Sequence, residues 1–143
     1  MIAVDTNILV YAQRAEAPQH QAALALMRGL VRGAAPWAVP WPCLGEYLRV
    51  VTHHSVYRPV TPASEALDNL ETLLAAPSVQ LLVPTGRHLT VLREVLADSG
   101  ATGDQVFDAQ IFALCVQHGV RELLTADRDF RVFRGVKVTD PFA

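Results

Sequence analysis

Residues 2–13 read IAVDTNILVYAQ. Ile2-Ala-Val-Asp5 is a short apolar run without alternation, the pattern of a strand buried on both faces, and Asn7 to about Gln13 reads as the helix that follows it. A buried strand followed directly by a helix opens the alternation of strands and helices that decides the fold class.

The rest of the chain continues in kind. Pro18 to Arg32 is helical, with Pro18 near its first turn and Ala23, Leu26, Met27, Leu30 and Val31 inward. Trp37-Ala-Val-Pro40 is a second strand, and the two tryptophans flanking it, Trp37 and Trp41, read as core residues. Pro42 suits the first turn of a helix striped by Leu44, Tyr47, Leu48 and Val51. Thr61-Pro62 begins another, with Leu67, Leu70 and Leu74 inward and Pro77 closing it. Val79 to Val83 is a third strand, and Arg87 to Ala97 a helix ending near Gly100. Thr102-Gly-Asp-Gln105 has the form of a capping box, opening a helix to Gln117 with Phe107, Ile111, Leu114 and Cys115 on one face. Glu122 to Thr125 and Val136 to Val138 complete the strands. Apolar strands separated by helices imply an α/β fold whose mostly parallel sheet is covered on both faces.

Composition bounds the rest. At 143 residues the chain is the size of one domain, 1–143, with no repeat or linker to divide it, and should bury about 68–70% of its unfolded surface. Cys43 and Cys115 stand far apart without metal or disulfide spacing, which suits a reducing cytoplasm. No apolar stretch approaches the ~20 residues of a membrane helix, and the N-terminus lacks the basic region of a signal peptide. A net charge of −2 is not that of a polycation coating nucleic acid, although 11 of the 12 basic residues are arginine.

In open α/β sheets ligands bind beyond the carboxyl ends of the strands, and here those ends are acidic. Asp5 ends the first strand; Asp127 follows the strand finishing at Thr125, with Asp129 two residues on. For any one of them a helix cap or turn is the ordinary role. Glu46 flanks the buried stripe of its helix and could simply pair with Arg49. Asp108 lies in the second turn of the last long helix, where burial without a cation is costly. Asp104, one turn earlier, answers the helix dipole. Acids gathered from distant segments repel unless a cation sits among them, and oxygen-rich sites suit Mg²⁺ or Mn²⁺, which activate water and stabilise charge on a phosphoryl group. No dinucleotide, P-loop, nucleophile-elbow or H-E-x-x-H motif occurs. His53-His54 diverge on a helix, and His118-Gly119 reads as a helix end.

Asp5-Thr-Asn7 after the first strand, Glu46 within Gly-Glu-Tyr-Leu-Arg-Val-Val-Thr, Asp108 after Thr-Gly-Asp-Gln-Val-Phe, and Thr125-Ala-Asp-Arg-Asp-Phe130 together resemble the PIN-domain ribonucleases. The length and layout are similar to VapC toxins of toxin–antitoxin pairs. The resemblance implies a three-layer α/β/α sandwich with a five-stranded sheet in the order 3-2-1-4-5. It implies that Asp5, Glu46, Asp108 and Asp127 hold one or two Mg²⁺ or Mn²⁺ ions for RNA hydrolysis, leaving 5′-phosphate and 3′-hydroxyl ends. Asn7 and Thr125 would be supporting polar groups and Asp129 an alternative fourth acid, while Asp104 falls where relatives vary. Phe112 stands where alanine is more usual.

The expected partners are an RNA substrate and a VapB-like antitoxin, with homodimers or, with antitoxin, heterotetramers and larger assemblies. The same acids could serve a structure-specific DNA nuclease, and a degenerate relative could be a non-catalytic scaffold, although no position of the quartet is missing. Setting the quartet aside leaves 10 of the 14 acids against 12 bases, so the negative total does not exclude a nucleic-acid substrate.

Overall fold

A computed structural model describes residues 1–143. Five strands, β1 (Ile2–Val4), β2 (Trp37–Pro40), β3 (Val79–Leu82), β4 (Glu122–Leu124) and β5 (Lys137–Thr139), alternate with six helices. These are α1 (Thr6–Gln13), α2 (His20–Arg32), α3 (Trp41–Val51), α4 (Ala63–Leu74), α5 (His88–Ser99) and α6 (Gln105–Gln117). A single-turn 3₁₀ helix, Arg128–Val132, joins β4 to β5. The sheet is wholly parallel in the order β3-β2-β1-β4-β5. All four residues of β2 are buried, as are Ala3 and Val4 of β1 and Leu123 and Leu124 of β4, so the central strands are covered on both faces as their unalternating apolar sequence requires. The α/β class and parallel sheet expected from the strand and helix pattern, and the strand order that the family resemblance implies, are those observed. No helix is long and apolar enough to cross a membrane.

Strand order positions the site. From β1 the chain steps outward to β2 and β3, then returns across the sheet to place β4 on the other side of β1, aligning Val4 with Leu124. The crevice at such a reversal lies beyond the carboxyl ends of β1 and β4, where Asp5 and Thr125 follow. The helix preceding β4 must run antiparallel to the strands, which brings the N-terminus of α6, with Asp108 in its first turns, to the same edge. Since α3 starts directly after β2, Glu46 is carried there too.

Several local expectations are corrected. Leu67 is 47% exposed; the inward face of α4 is Ala66 and Leu70, with Leu73 and Leu74 partly buried. Phe107 is 67% exposed, and α6 has no single buried face: Ile111 to Cys115 are buried consecutively, so this stretch of the helix is enclosed all round. Trp37 is a core residue bonded through its indole N–H to Ser78, whereas Trp41 is 54% exposed at the start of α3. The Thr102–Gln105 capping box does not form: Gly103 adopts a left-handed φ of 60°, and α6 opens through tight backbone turns instead, without a side-chain cap. α2 begins at His20, two residues after the proline proposed for its first turn. Cys43 and Cys115 are both free and buried.

Phe112, wholly buried in α6, stacks on Phe133 at 5.1 Å between ring centroids, and Phe133 meets Phe130 edge-on at 6.0 Å. The bulky ring thus ties the enclosed helix to the segment between β4 and β5. Phe112→Ala should cost about 3–5 kcal/mol of unfolding free energy, measured by urea denaturation; a loss below about 1 kcal/mol would mean that the aromatic stack is not a packing element.

Candidate functional site

Asp5 occupies the N-cap position of α1 but makes no side-chain capping hydrogen bond. Its carboxylate turns into the protein, where the residue is only 4% exposed. Thr125 Oγ1 donates to Asp5 Oδ2 at 2.8 Å, Asn7 Nδ2 donates to the same oxygen at 3.3 Å, and the Cys43 thiol donates to Oδ1 at 3.6 Å. Asn7 spans the junction of the two strands: Nδ2 also donates to Thr125 Oγ1 at 3.1 Å, and Oδ1 accepts from the Ala126 N–H at 3.1 Å. Thr125 Oγ1 further accepts from the Asp127 N–H at 3.0 Å. The polar residues after β1 and β4 therefore form one closed network, with the donor and both acceptor positions of the Thr125 hydroxyl used.

Glu46, half-buried on α3, accepts from Thr6 Oγ1 at 3.0 Å and lies 4.0 Å from the Arg49 guanidinium. The ordinary i, i+3 ion pair is present, but between exposed groups at this distance it is weak. Asp127 caps the 3₁₀ turn, accepting from the Asp129 N–H at 2.9 Å. Its turn role and its place beside the other acids coexist.

Asp5, Glu46, Asp108 and Asp127 border one cleft of about 250 Å³, along with Thr6, Asn7, Val10, Tyr11, Val50, Val56 and Tyr57. Asp108, Asp127 and Asp129 each offer a carboxylate oxygen within 4.8 Å of the others. Asp5 and Glu46 line the cleft outside that tight triad. Asp104 is exposed at the entrance to α6 and borders neither the triad nor the cleft. Three contributors escaped the sequence reading. Thr6 is the immediate neighbour of Asp5, and Cys43 precedes Glu46 by one helical turn, so both had a positional signal. Tyr57 lies in a loop and had none.

No Lys, Arg or His nitrogen lies within 4.0 Å of Asp5, Asp108, Asp127 or Asp129. Charge accordingly accumulates. Burial pushes the Asp5 carboxyl up from 3.8 to about 6 against the pull of its Thr125 hydrogen bond. Asp108 rises to about 7, first through desolvation and then through repulsion from Asp127, Asp5, Glu46 and Asp129. Carboxylates presenting oxygens at this spacing, without basic partners, are a donor set for a small hard divalent cation.

A family model described as PIN domain matches residues 2–136. The chain is 33% identical over 141 residues to VapC ribonuclease Mb2897 of Mycobacterium bovis, an alignment covering 99% of this chain and 95% of that protein. Among solved structures, Mycobacterium tuberculosis VapC20, described as a sarcin-ricin loop cleaving toxin, superposes with a TM-score of 0.67 at 20% identity, covering 96% of this chain and 99% of that one. Rickettsia felis VapBC2, bound to a DNA fragment from its promoter, gives 0.65 at 19% identity, covering 97% and 98%.

The raised carboxyls have a consequence for stability. The folded protein retains protons on Asp5 and Asp108 that the unfolded chain releases near 3.8. The stability that these two groups contribute to the metal-free protein is thus fully present below that value and is lost as pH rises through about 6 and 7. Melting in EDTA should fall from about pH 5 to about pH 8, and Asp108→Asn should flatten that slope; a profile equally steep in the variant would refute the assignment.

Proposed function

This chain belongs to the PIN-domain family, alongside the VapC ribonucleases, and on that premise we propose that it is a metal-dependent endoribonuclease, the toxin of a VapBC-type pair, that cuts single-stranded or loop RNA. The observation that carries the reading is the cleft itself: four acids from four separate segments converge at the sheet's reversal, and only Glu46 has a basic neighbour, the exposed Arg49 at 4.0 Å.

Asp108 and Asp127 would hold Mg²⁺ or Mn²⁺, with Asp129 close enough to share the ion and Asp5 and Glu46, which line the same cleft, completing the donor set. When bound, such an ion activates a water and stabilises the charge developing on the scissile phosphate. The chain's own groups supply position. Thr125 and Asn7 fix Asp5 Oδ2, and Thr6 fixes Glu46 Oε2, so neither carboxylate has to be ordered when the phosphate arrives. In-line displacement would leave a 5′-phosphate and a 3′-hydroxyl. Arg128 and Arg131 line a small recess against Asp127 and offer cations to the neighbouring RNA backbone.

A VapB-like antitoxin has a suitable seat. Leu9, Ala12, Met27, Tyr47, Leu70 and Leu73 line an open groove of about 180 Å³ among α1, α2, α3 and α4. The shape and apolar lining suit the hydrophobic face of a partner helix. Exposed Val83, Leu89, Phe107 and Val116 on and around α5 and α6 support self-association.

Asp5→Asn and Asp108→Asn should each abolish cleavage of single-stranded RNA, as should EDTA, with melting unchanged or raised because carboxylate repulsion is relieved. Undiminished cleavage by both variants would overturn the metal-site assignment. Preferential cutting of flap DNA in the same assay would favour the DNA nuclease, and no Mn²⁺-dependent melting shift would favour the scaffold. Co-production of the antitoxin should relieve growth arrest caused by this chain alone.

A further inference from the structure

The acids account for only part of the cleft. Its lining also includes Tyr11, Val50, Val56 and Tyr57, apolar or aromatic groups that phosphoryl chemistry does not use. Val56 is 52% exposed, and Tyr57 is only partly covered. Both belong to the segment between α3 and α4, which contains little regular structure, yet one side chain meets it at three residues.

That side chain is Arg14, at the C-terminal end of α1 and nearly buried. Its Nη1 donates to Thr61 Oγ1 at 2.9 Å, and its Nη2 donates to the Pro59 carbonyl at 2.8 Å. The guanidinium carbon lies 4.5 Å from the centroid of the Tyr57 ring, covering one face of it, and Glu16 balances the charge. Gln13 also donates to Thr61 Oγ1 at 3.1 Å. The helix that begins beside Asp5 and Asn7 therefore ends in the clamp on Tyr57. One rigid element of eight residues, about 12 Å long, sets the distance between the acids and the aromatic wall.

We propose that Tyr57, with Tyr11 and Val56, seats the nucleobase flanking the scissile phosphate, and that Arg14 is the positioning residue that holds this seat in register with the acids. The inference rests on the ribonuclease reading above. Every base has a π-face, so an aromatic wall accepts any of the four. A base reaches it only when it is unstacked, which makes the seat a device for selecting unpaired RNA.

The test uses the full chain and an RNA oligonucleotide containing one mapped cut site, with matched versions lacking the base on either side of the cut. Tyr57→Leu keeps bulk and removes the ring. It should raise KM about tenfold with kcat within about twofold, and leave the Mn²⁺-induced melting shift at the wild-type value. The wild type should lose about tenfold on one of the abasic substrates, and Tyr57→Leu should lose nothing further on it. Arg14→Leu should reproduce the KM effect, and the double variant should be no worse than Tyr57→Leu alone. Unchanged KM in Tyr57→Leu, or an equal abasic loss in wild type and variant, overturns the seat. So does a variant altered only in its inhibition by antitoxin, which would assign this wall to a protein segment. If the wild type cuts no RNA, the ribonuclease reading falls and takes the seat with it; if it cuts and Tyr57→Leu is normal, the seat alone falls.

Discussion

A carboxylate kept from water next to other carboxylates is costly to keep ionised, and Asp5 is in that position. A buried ionised group without hydrogen bonds is not tolerated, so its oxygens must be met by donors that are themselves fixed. Thr125 can supply the shortest of these bonds only because β1 and β4 pair in parallel with Val4 opposite Leu124. A slip of one residue would turn the Thr125 side chain to the other face of the sheet. Asn7 then closes the arrangement by bonding both sides of the strand junction. Strand register, the start of α1 and the course of the chain after β4 are thus coupled through a few polar atoms around one acid.

That coupling explains why the enclosed helix α6 is packed so tightly. Asp108 can face Asp127 only if the helix does not roll, and rolling is opposed by burial on every side from Ile111 to Cys115 and by the Phe112–Phe133 stack. The apolar packing and the electrostatic strain lie on the same helix, one turn apart. Folding energy from the core is in this sense what keeps the like charges together, since no salt bridge does so.

Much of this was legible in the sequence because it followed from short-range rules. Unalternating apolar strands between helices dictate a parallel sheet, and Asp5 and Asp127 mark themselves by following strands. What was not legible depended on packing between elements. The stripe on α4 was assigned to Leu67, but leucine spacing cannot tell which of two overlapping stripes, 66/70/73 or 67/70/74, meets the sheet. Phe107 was placed inward by its hydrophobicity, although the helix end that carries Asp108 toward the cleft leaves its neighbour outside. Thr102 matched a capping box by residue type, but Gly103 takes a left-handed conformation that carries the chain out of that geometry. Asp127 and Asp129 could not be ranked from the sequence, and the 3₁₀ turn shows why: it brings both beside Asp108.

Charge distribution makes the last connection. Eleven arginines are available, yet the only one that is buried, Arg14, is used on the loop wall and pairs with Glu16 rather than with the cleft acids. A guanidinium among Asp5, Asp108 and Asp127 would satisfy them permanently and leave nothing to attract a phosphate-bearing ligand. Arginine is kept from Asp5, Asp108 and Asp127, while Arg128 and Arg131 line a recess beside Asp127, so these three acids have no fixed counter-charge from the chain itself. The overall charge of −2 is then an average over an anionic centre and a basic surround, and it is the separation of the two, not the total, that gives the cleft its chemistry.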